Sequence, residues 1–518
     1  MKIIAPLLLV LSIVVANAQP SAFKKQLPTV DPYIQKLMTE WEVAGSAVSI
    51  VYKDKVIFSK AFGYRDVANK VPVTTKTMFG IASNTKLFTA MAAAMLHEEK
   101  KLDLDKPVRN YMPELRFATG ELDEKLTLRD MLSHRSGVPR WDGVWAGSNY
   151  TLDEILERLQ YMKPTLGFRQ GYLYNNNMYA AAGAVTAKVN GTSWEQLIQT
   201  KIFDPLEMRS STFSFEDAIA KGEFSKDYLV GRVDKKLKEY EPDTHCACWA
   251  PAAAIVSNVE ELSNWMIAQI NGGKFKGKQV IPAKAITETI TPNNIASKEM
   301  TYDEVFYGLY GMGRSSTDYK GHVLISHGGV ISGYRSTIAM LPKDSLGVIV
   351  LTNTAQGSPM ATAAVWGIVD RLLQLDQSPW TTKMKAEIQK QEKKSWRETD
   401  SLKALKVKDT KPSHALADYV GSFEHKLYGK IVITLDGDHL RMKHRMWDEP
   451  LEHFHYDQFW STEYPDVSVN YSLRVYKLHF MTNEAGKIDK IKTRVGGDPE
   501  VEFVRAKEAT ASAQAGSK

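Results

Sequence analysis

Ser83 and Lys86 place a hydroxyl and an amine three residues apart in Ser83-Asn84-Thr85-Lys86, where the pattern predicts the start of a helix. Residues so spaced on a helix share a face, close enough for an amine to take a proton from a hydroxyl. A helix N-terminus adds unpaired N–H groups and a field that favours negative charge developing on oxygen. The chemistry this permits is attack on a carbonyl through a covalent acyl intermediate. The tetrapeptide alone is weak evidence, because a second Ser-x-x-Lys runs from Ser21 to Lys24 with nothing around it to position the pair. Around Ser83 stand a strand-like approach, Phe79-Gly80-Ile81-Ala82, and a helix body with Leu87, Phe88, Met91, Ala94 and Met95 at helical spacing. Two more polar groups follow in order. Tyr174-Asn175-Asn176 lies in a polar loop before a predicted helix, and His327-Gly328-Gly329 follows a predicted strand and precedes Gly333. Taken singly, Tyr174 fits its Tyr- and Asn-rich loop and His327 fits a strand end; together and in this order, they describe an acyl-transfer site.

Such a site needs a frame. Residues 46–52 and 56–61 read as strands around the turn Lys53-Asp54-Lys55. The middle of the chain, roughly 100–300, reads as helices and loops, with helices over 152–159, 178–189, 193–202 and 259–270. Strands return at 323–326, 336–341 and 346–351, and a helix over 361–373 closes the unit. Strands at both ends with helices between predict one sheet assembled from both ends, an α+β fold. Residues 377–412 form a polar linker with a helix over 382–396. Beyond 415, short alternating runs such as 430–435 and 471–481, separated by Gly, Asn and Asp, predict the antiparallel hairpins of a small β-barrel or sandwich. The small polar residues of 510–518 predict a disordered tail.

At 518 residues the chain is too long for one core, so two domains are expected. The formal charge of +6 is scattered, with one lysine-rich stretch at 383–394 that also carries acids, and no basic stripe or reading motif suggests a nucleic acid. Lys2, the apolar run 7–15 and Ala16-Asn17-Ala18 have the pattern of a signal peptide over 1–18, so a soluble chain exported to a periplasm or beyond should begin at Gln19. No other run is long and apolar enough to span a membrane. Cys246 and Cys248, one residue apart, would bridge only with strain, and with His245 they lack a fourth ligand for a metal. They read as semi-buried thiols with a packing role. His453 and His455 share a strand face and likewise read as packing. No metal or cofactor is expected, the partner is a small-molecule or peptide substrate, and oligomeric state is left open.

The three ordered motifs resemble those of serine β-lactamases and penicillin-binding proteins, in the branch of class C β-lactamases, DD-peptidases, D-aminopeptidases and related esterases. That family shows Ser-x-x-Lys, Tyr-x-Asn and a Lys- or His-x-Gly triplet, here Ser83/Lys86, Tyr174/Asn176 and His327/Gly329. Flanking text at 128–139, with His134, Ser136, Gly137 and Pro139, and at 203–208 agrees, so the likeness runs over about 28–375. Tyr419-Val420-Gly421, Tyr428-Gly429 and the run 453–457 resemble the lipocalin-like modules appended to some members. The resemblance implies a signal peptide (1–18), a three-layer α/β/α catalytic domain with an antiparallel sheet (19–376), a linker (377–412), a lipocalin-like barrel (413–507) and a tail (508–518).

It also implies roles. Ser83 is the nucleophile, activated by Lys86 and Tyr174. A lysine in water, with a pKa of about 10.4, is no base at neutral pH, so burial or a cationic neighbour must lower it, or it must hold Tyr174 near its phenolate. The favoured arrangement is a coupled pair, Tyr174 exchanging the proton and Lys86 supplying the field, although sequence does not decide which of the two is the general base. Asn176 orients Lys86 and binds a substrate carbonyl. The oxyanion sits between the backbone N–H groups of Ser83 and Val330, and Gly328 and Gly329 let the strand approach substrate. One departure matters: many relatives start the triplet with Lys and follow it with Thr. His327 is largely neutral near pH 7 and Gly328 has no donor side chain, a loss on the order of 1.5–3 kcal/mol in binding a free carboxylate. Weak β-lactam turnover is therefore expected, with peptides, amides or esters as better substrates. A carboxylesterase with little amidase activity, and a sensor that acylates without turnover, are the alternatives.

Overall fold

In the computed structural model every residue of Gly45–Tyr52 (β1) except the last is buried, which requires cover on both faces of the strand. The structure describes residues 23–231, 234–240, 247–299, 301–461 and 476–507; the expected signal peptide, Cys246 and the tail 508–518 lie outside the described residues. The sheet around β1 is antiparallel and contains β2 (Lys55–Asp66), β3 (Val71–Pro72), β4 (Asn294–Ser297), β5 (Val305–Tyr310), β6 (Ser315–Tyr319), β7 (His322–Ile331), β8 (Tyr334–Leu341) and β9 (Leu346–Thr352). Their order is β4-β5-β6-β7-β8-β9-β1-β2-β3. Pairing of β1 with β9, from Ser46 opposite Thr352 to Tyr52 opposite Leu346, builds one sheet from both ends of the segment, as the sequence predicts.

Side-chain alternation along β1 sorts the layers. Val48 and Ile50 pack with α1 (Val30–Glu40), whereas Ala47 and Val51 face the large core that holds α2 (Thr85–Glu98), α3 (Asn176–Asn190) and α4 (Val259–Ile270). α5 (Gly357–Leu372) and Trp380, the first residue of α6 (Trp380–Lys403), return to the α1 face. The result is helix, sheet, helix. α2 is buried from Thr85 to Leu96, so it must be apolar nearly all round, and Lys86 is the charged residue in that run.

Several elements depart from expectation. Residues 82–84 form a separate 3₁₀ turn and the α-helix begins at Thr85. The strand predicted over 323–326 continues through the triplet to Ile331, because β8 goes on pairing with it as far as Tyr334 opposite Ile331. The helix predicted over 193–202 is Trp194–Ile198 followed by a π turn, Gln199–Phe203. The linker helix is longer, Trp380–Lys403.

The C-terminal strands close into a barrel in sequential order: β10 (Gly421–His425), β11 (Gly429–Asp436), β12 (His439–His444), β13 (Trp447–His455), β14 (Gln458–Ser461), β15 (Lys477–Thr482), β16 (Ile488–Thr493) and β17 (Val501–Arg505). Closure is made by β10 on β17, Phe423 opposite Arg505. Phe423, Ile433, Met442, Phe480, Ile491 and Phe503 are buried and fill its interior. Of the expected run 471–481, residues 471–475 lie outside the described residues. His453 Nε2 bonds to Tyr456 O, and His455 Nδ1 accepts from the Val407 N–H of the segment that precedes the barrel.

Candidate active site

Ser83 sits on the 3₁₀ turn because Ala82 adopts φ +50°, uncommon for a residue with a side chain. The turn is tied to the sheet: Asn84 Nδ2 donates to Ser336 Oγ at 2.7 Å, and that hydroxyl donates to Ile81 O at 2.7 Å. Ser83 is left half-buried between buried neighbours. One turn on, Lys86 is 0% exposed. Its Nζ lies 3.1 Å from Ser83 Oγ, 2.8 Å from Asn176 Oδ1 and 2.9 Å from Ala252 O. The last two are carbonyl oxygens and can only accept. A neutral amine has two N–H groups, so those carbonyls take both and leave the lone pair directed at the Ser83 hydroxyl.

Tyr174 reaches Ser83 from the other side, its OH 2.9 Å from Oγ. The chain holds it there by capping. Asn175 Oδ1 accepts the Met178 N–H at 2.9 Å to start α3, while Nδ2 donates to Pro139 O at 2.6 Å. Asn175 N–H donates to Nδ1 of His134, whose ring lies 4.3 Å from that of Tyr174. Asn176, placed by sequence in a loop, is the first residue of α3.

Burial is the main electrostatic influence. It holds Lys86 well below the ordinary lysine value, and the Arg140 guanidinium adds to the effect while Asp142 opposes it. Tyr174 is pushed up, again by burial first, which disfavours its phenolate form. Arg140 lies over the Tyr174 ring at 4.9 Å and pairs with Asp142, Nε to Oδ2 at 2.5 Å.

His327 does not lie open in the cleft. It is 7% exposed, its Nδ1 donates to Gly328 O at 2.7 Å, and its Nε2 accepts from Tyr310 OH at 3.0 Å. Burial is the main cause that lowers it to about 3, so it stays neutral. Alternation along β7 sends His327, Gly329 and Ile331 inward and leaves Gly328 and Val330 exposed. The two glycines therefore differ. A Cβ on Gly329 would lie 2.2 Å from Ile81 O and 2.3 Å from Ser336 Oγ, so Gly329 is needed for packing against the Ser83 turn. Gly328 faces open space, with Ser336 O the nearest atom at 3.8 Å. β6 stops pairing with β7 at Ser315 opposite Ser326. From His327 onward, β7 has a sheet partner among the described residues on its β8 side alone, and its other edge is where Val330, 47% exposed, stands.

The structure thus brings Ser83, Lys86, Tyr174 and Asn176 together and places the triplet beside them. Sequence reasoning missed Arg140, Asp142, Tyr310 and the Ala252 carbonyl. Arg140 and Asp142 directly follow the family-like stretch 128–139, which was the available signal; a backbone carbonyl leaves none. Among the described residues no group of three or more His, Cys, Asp or Glu side chains could hold a metal ion, and no helix is long and apolar enough to cross a membrane. Cys248 is buried.

A family model described as Beta-lactamase matches residues 30–372, and a domain of unknown function (DUF3471) matches 405–509. Among curated proteins, Unguisins hydrolase ungD' of Aspergillus campestris is 26% identical over 427 residues, 78% of this chain and 77% of that one. Protein flp of Staphylococcus aureus is 26% identical over 334 residues, 62% of each. Among solved structures, the octameric penicillin-binding protein homologue from Pyrococcus abyssi has a TM-score of 0.59 at 22% identity, covering 92% of this chain and 100% of that one. The D-amino acid amidase from Ochrobactrum anthropi SV3, complexed with L-phenylalanine amide, has a TM-score of 0.54 at 21% identity, covering 67% and 98%. At such identities these two structures speak for the fold.

Proposed function

The chain belongs to the beta-lactamase family, and on that premise we propose that it is an exported serine hydrolase cleaving amide, peptide or ester bonds through an acyl-enzyme on Ser83. In this reading residues 1–18 direct export, 19–376 carry the chemistry, 377–412 link, and 413–507 form the barrel module. The observation that carries it is Ser83 Oγ placed 3.1 Å from a buried lysine amine and 2.9 Å from a tyrosine hydroxyl.

Neutral Lys86 takes the Ser83 proton as Oγ forms a bond to the substrate carbonyl carbon. The carbonyl electron pair becomes an oxyanion held by the backbone N–H groups of Ser83 and Val330. Collapse re-forms the carbonyl and breaks the bond to the leaving nitrogen or oxygen, which takes the Tyr174 proton as Lys86 returns one to Tyr174. Water then attacks the ester by the same route and Ser83 recovers its proton. The raised Tyr174 value supports a neutral phenol that relays protons, and the lowered Lys86 value supports an amine that accepts them. Asn176 holds Lys86 through Oδ1. The buried neutral His327 supplies no charge for a substrate carboxylate, which favours amides, peptides and esters over β-lactams. That one relative is a hydrolase and one structural neighbour a D-amino acid amidase is in keeping with a hydrolase that takes amides.

The test incubates wild type and Ser83→Ala with a fluorophosphonate probe, p-nitrophenyl acetate, nitrocefin and D-alanyl p-nitroanilide. Expected are labelling and turnover in wild type, neither in Ser83→Ala, and weak nitrocefin hydrolysis. Labelling that persists in Ser83→Ala would remove Ser83 as nucleophile. Nitrocefin turnover matching the best ester would reverse the substrate reading, and a stable adduct without steady-state turnover would make the protein a sensor.

A further inference from the structure

The loop 140–148 joins the site to the barrel. On the site side, Asp142 Oδ1 accepts from Asn176 Nδ2 and from Trp145 Nε1, each at 3.2 Å. An amide has one accepting and one donating end, so this carboxylate decides which way Asn176 faces. With Nδ2 turned to Asp142, Oδ1 is left for the Lys86 amine. Arg140, paired with the same carboxylate, lies over Tyr174.

On the barrel side, both polar atoms of the next residue are taken. Gly143 N–H donates to Asp498 Oδ2 at 2.8 Å, and Gly143 O accepts from Arg445 Nη1 at 2.5 Å. Arg445 Nη1 also donates to Ala146 O at 2.8 Å, and Tyr428 OH donates to Asp498 Oδ2 at 3.0 Å. Arg445 lies on the β12–β13 turn and Asp498 on the β16–β17 connection, at one end of the barrel. The approach is close: a Cβ on Gly143 would lie 2.5 Å from Asp498 Oδ2 and 2.6 Å from Val495 O.

We infer that the barrel is a working part of the active site, with Asp498 and Arg445 clamping the 140–148 loop so that Asp142 and Arg140 keep Asn176, Lys86 and Tyr174 in place. The inference rests on the hydrolase reading of Ser83. Asp498 and Arg445 are positioning residues; no bond joins them to Ser83, Lys86 or Tyr174. Releasing the loop frees the Asn176 amide to turn and takes both Arg140 and Asp142 away from Lys86, and of these two opposed charges Arg140 has the larger effect; the other titratable neighbours of the amine are Tyr174, Tyr179, His134 and His327. The amine would then keep its proton to higher pH.

The experiment measures the rate of Ser83 labelling by a fluorophosphonate against pH in the full chain. Asp498→Ala, Arg445→Ala and Gly143→Ala should lower the rate about 10–100-fold and move its acid limb to higher pH. Asp498→Asn keeps an acceptor for the Gly143 N–H and should recover most of the rate. Asp457→Ala is the control: this residue bonds Ser413 and Tyr419 at the other end of the barrel, so the variant should melt earlier and label as wild type. Gly143→Ala pushes the loop away while leaving the barrel's own bonds intact, which keeps the test decisive if Asp498→Ala does not fold. Wild-type rate and limb in Gly143→Ala and Arg445→Ala would overturn the inference, as would a rate loss with an unmoved limb that follows melting temperature. A wild type that does not label at Ser83 would overturn the hydrolase reading itself, a separate and recognisable result.

Discussion

The cluster around Ser83 and the cluster inside the barrel around His444 are built from the same materials. Each takes tyrosines, a histidine and a charged side chain out of water. Burial lowers His327 to about 3 and His444 to about 4, so their titration hardly distinguishes them. Their bonds do. Nε2 of His444 donates to Tyr428 O and Nδ1 accepts from Tyr476 OH, both at 3.1 Å, and both ring atoms are satisfied. His327 is closed in the same way, by Gly328 O and Tyr310 OH. Lys86 differs, because its Nζ meets not only two carbonyl oxygens but also the half-buried Ser83 hydroxyl. Removal from water is common to both regions; a buried amine in contact with a reachable hydroxyl is particular to one.

The largest test of that contrast is substitution of the two groups on Ser83. Lys86→Ala should lower ester hydrolysis by about 10³–10⁴-fold and Tyr174→Phe by about 10²–10³-fold. Tyr419→Phe, which removes a hydroxyl bonded to Asp457 at the far end of the barrel, should leave kcat/KM unchanged; a comparable loss there would break the distinction.

Next is the pH–rate profile. The rate should rise with pH through the lowered Lys86 value, well under the ordinary lysine value of about 10.4, with no step from either neutral histidine. Arg140→Gln removes a nearby cation and should move the limb to higher pH. A limb at the ordinary lysine value would break the assignment.

Smaller effects concern the closed histidines. Tyr310→Phe leaves His327 Nε2 without its donor and should cost about 1 kcal/mol of stability with a modest loss of rate, read by urea unfolding and steady-state assay.

The smallest effect is a pair of opposite slopes in stability against pH. His444 has a depressed value in the folded state, so its contribution is present above about 6.5 and is lost as pH falls toward about 4. His444→Gln should flatten that loss. Asp227 is raised to about 7 by burial and accepts the Gly333 N–H at 2.6 Å. Its contribution is present below about 3.9 and is lost as pH rises through about 7, so Asp227→Asn should remove a fall in melting temperature over that range.

Elements with a strong local signal were legible. The helix 259–270 has its apolar period and an Asn258 cap, and it appears at those bounds. β1 and β9 were readable as strands, and their pairing followed from strands at both ends of the segment. The triplet was harder, because Gly328-Gly329 looks like the end of a strand until β8 is there to pair with it. The Gly328-Gly329 pair as a sequence could not show that Gly329 packs on Ile81 while Gly328 faces open space. The barrel's closure depended on β10 meeting β17, a contact between residues 80 and 82 positions apart that no local pattern encodes.

From residue types and order alone came the α+β class, the appended β module, and the succession Ser83, Lys86, Tyr174, Asn176 and His327 as groups able to transfer an acyl chain. Periodicity and spacing are local properties, and a linear sequence carries them in full. Tertiary structure decided the protonation states: Lys86 loses its hydration inside α2, Tyr174 keeps its proton, and His327 is sealed by Tyr310. It also decided that Arg140 and Asp142 stand beside the site with Asp498 and Arg445 behind them. Those outcomes depend on desolvation and on charges brought close in space from distant positions, and neither can be read along the chain.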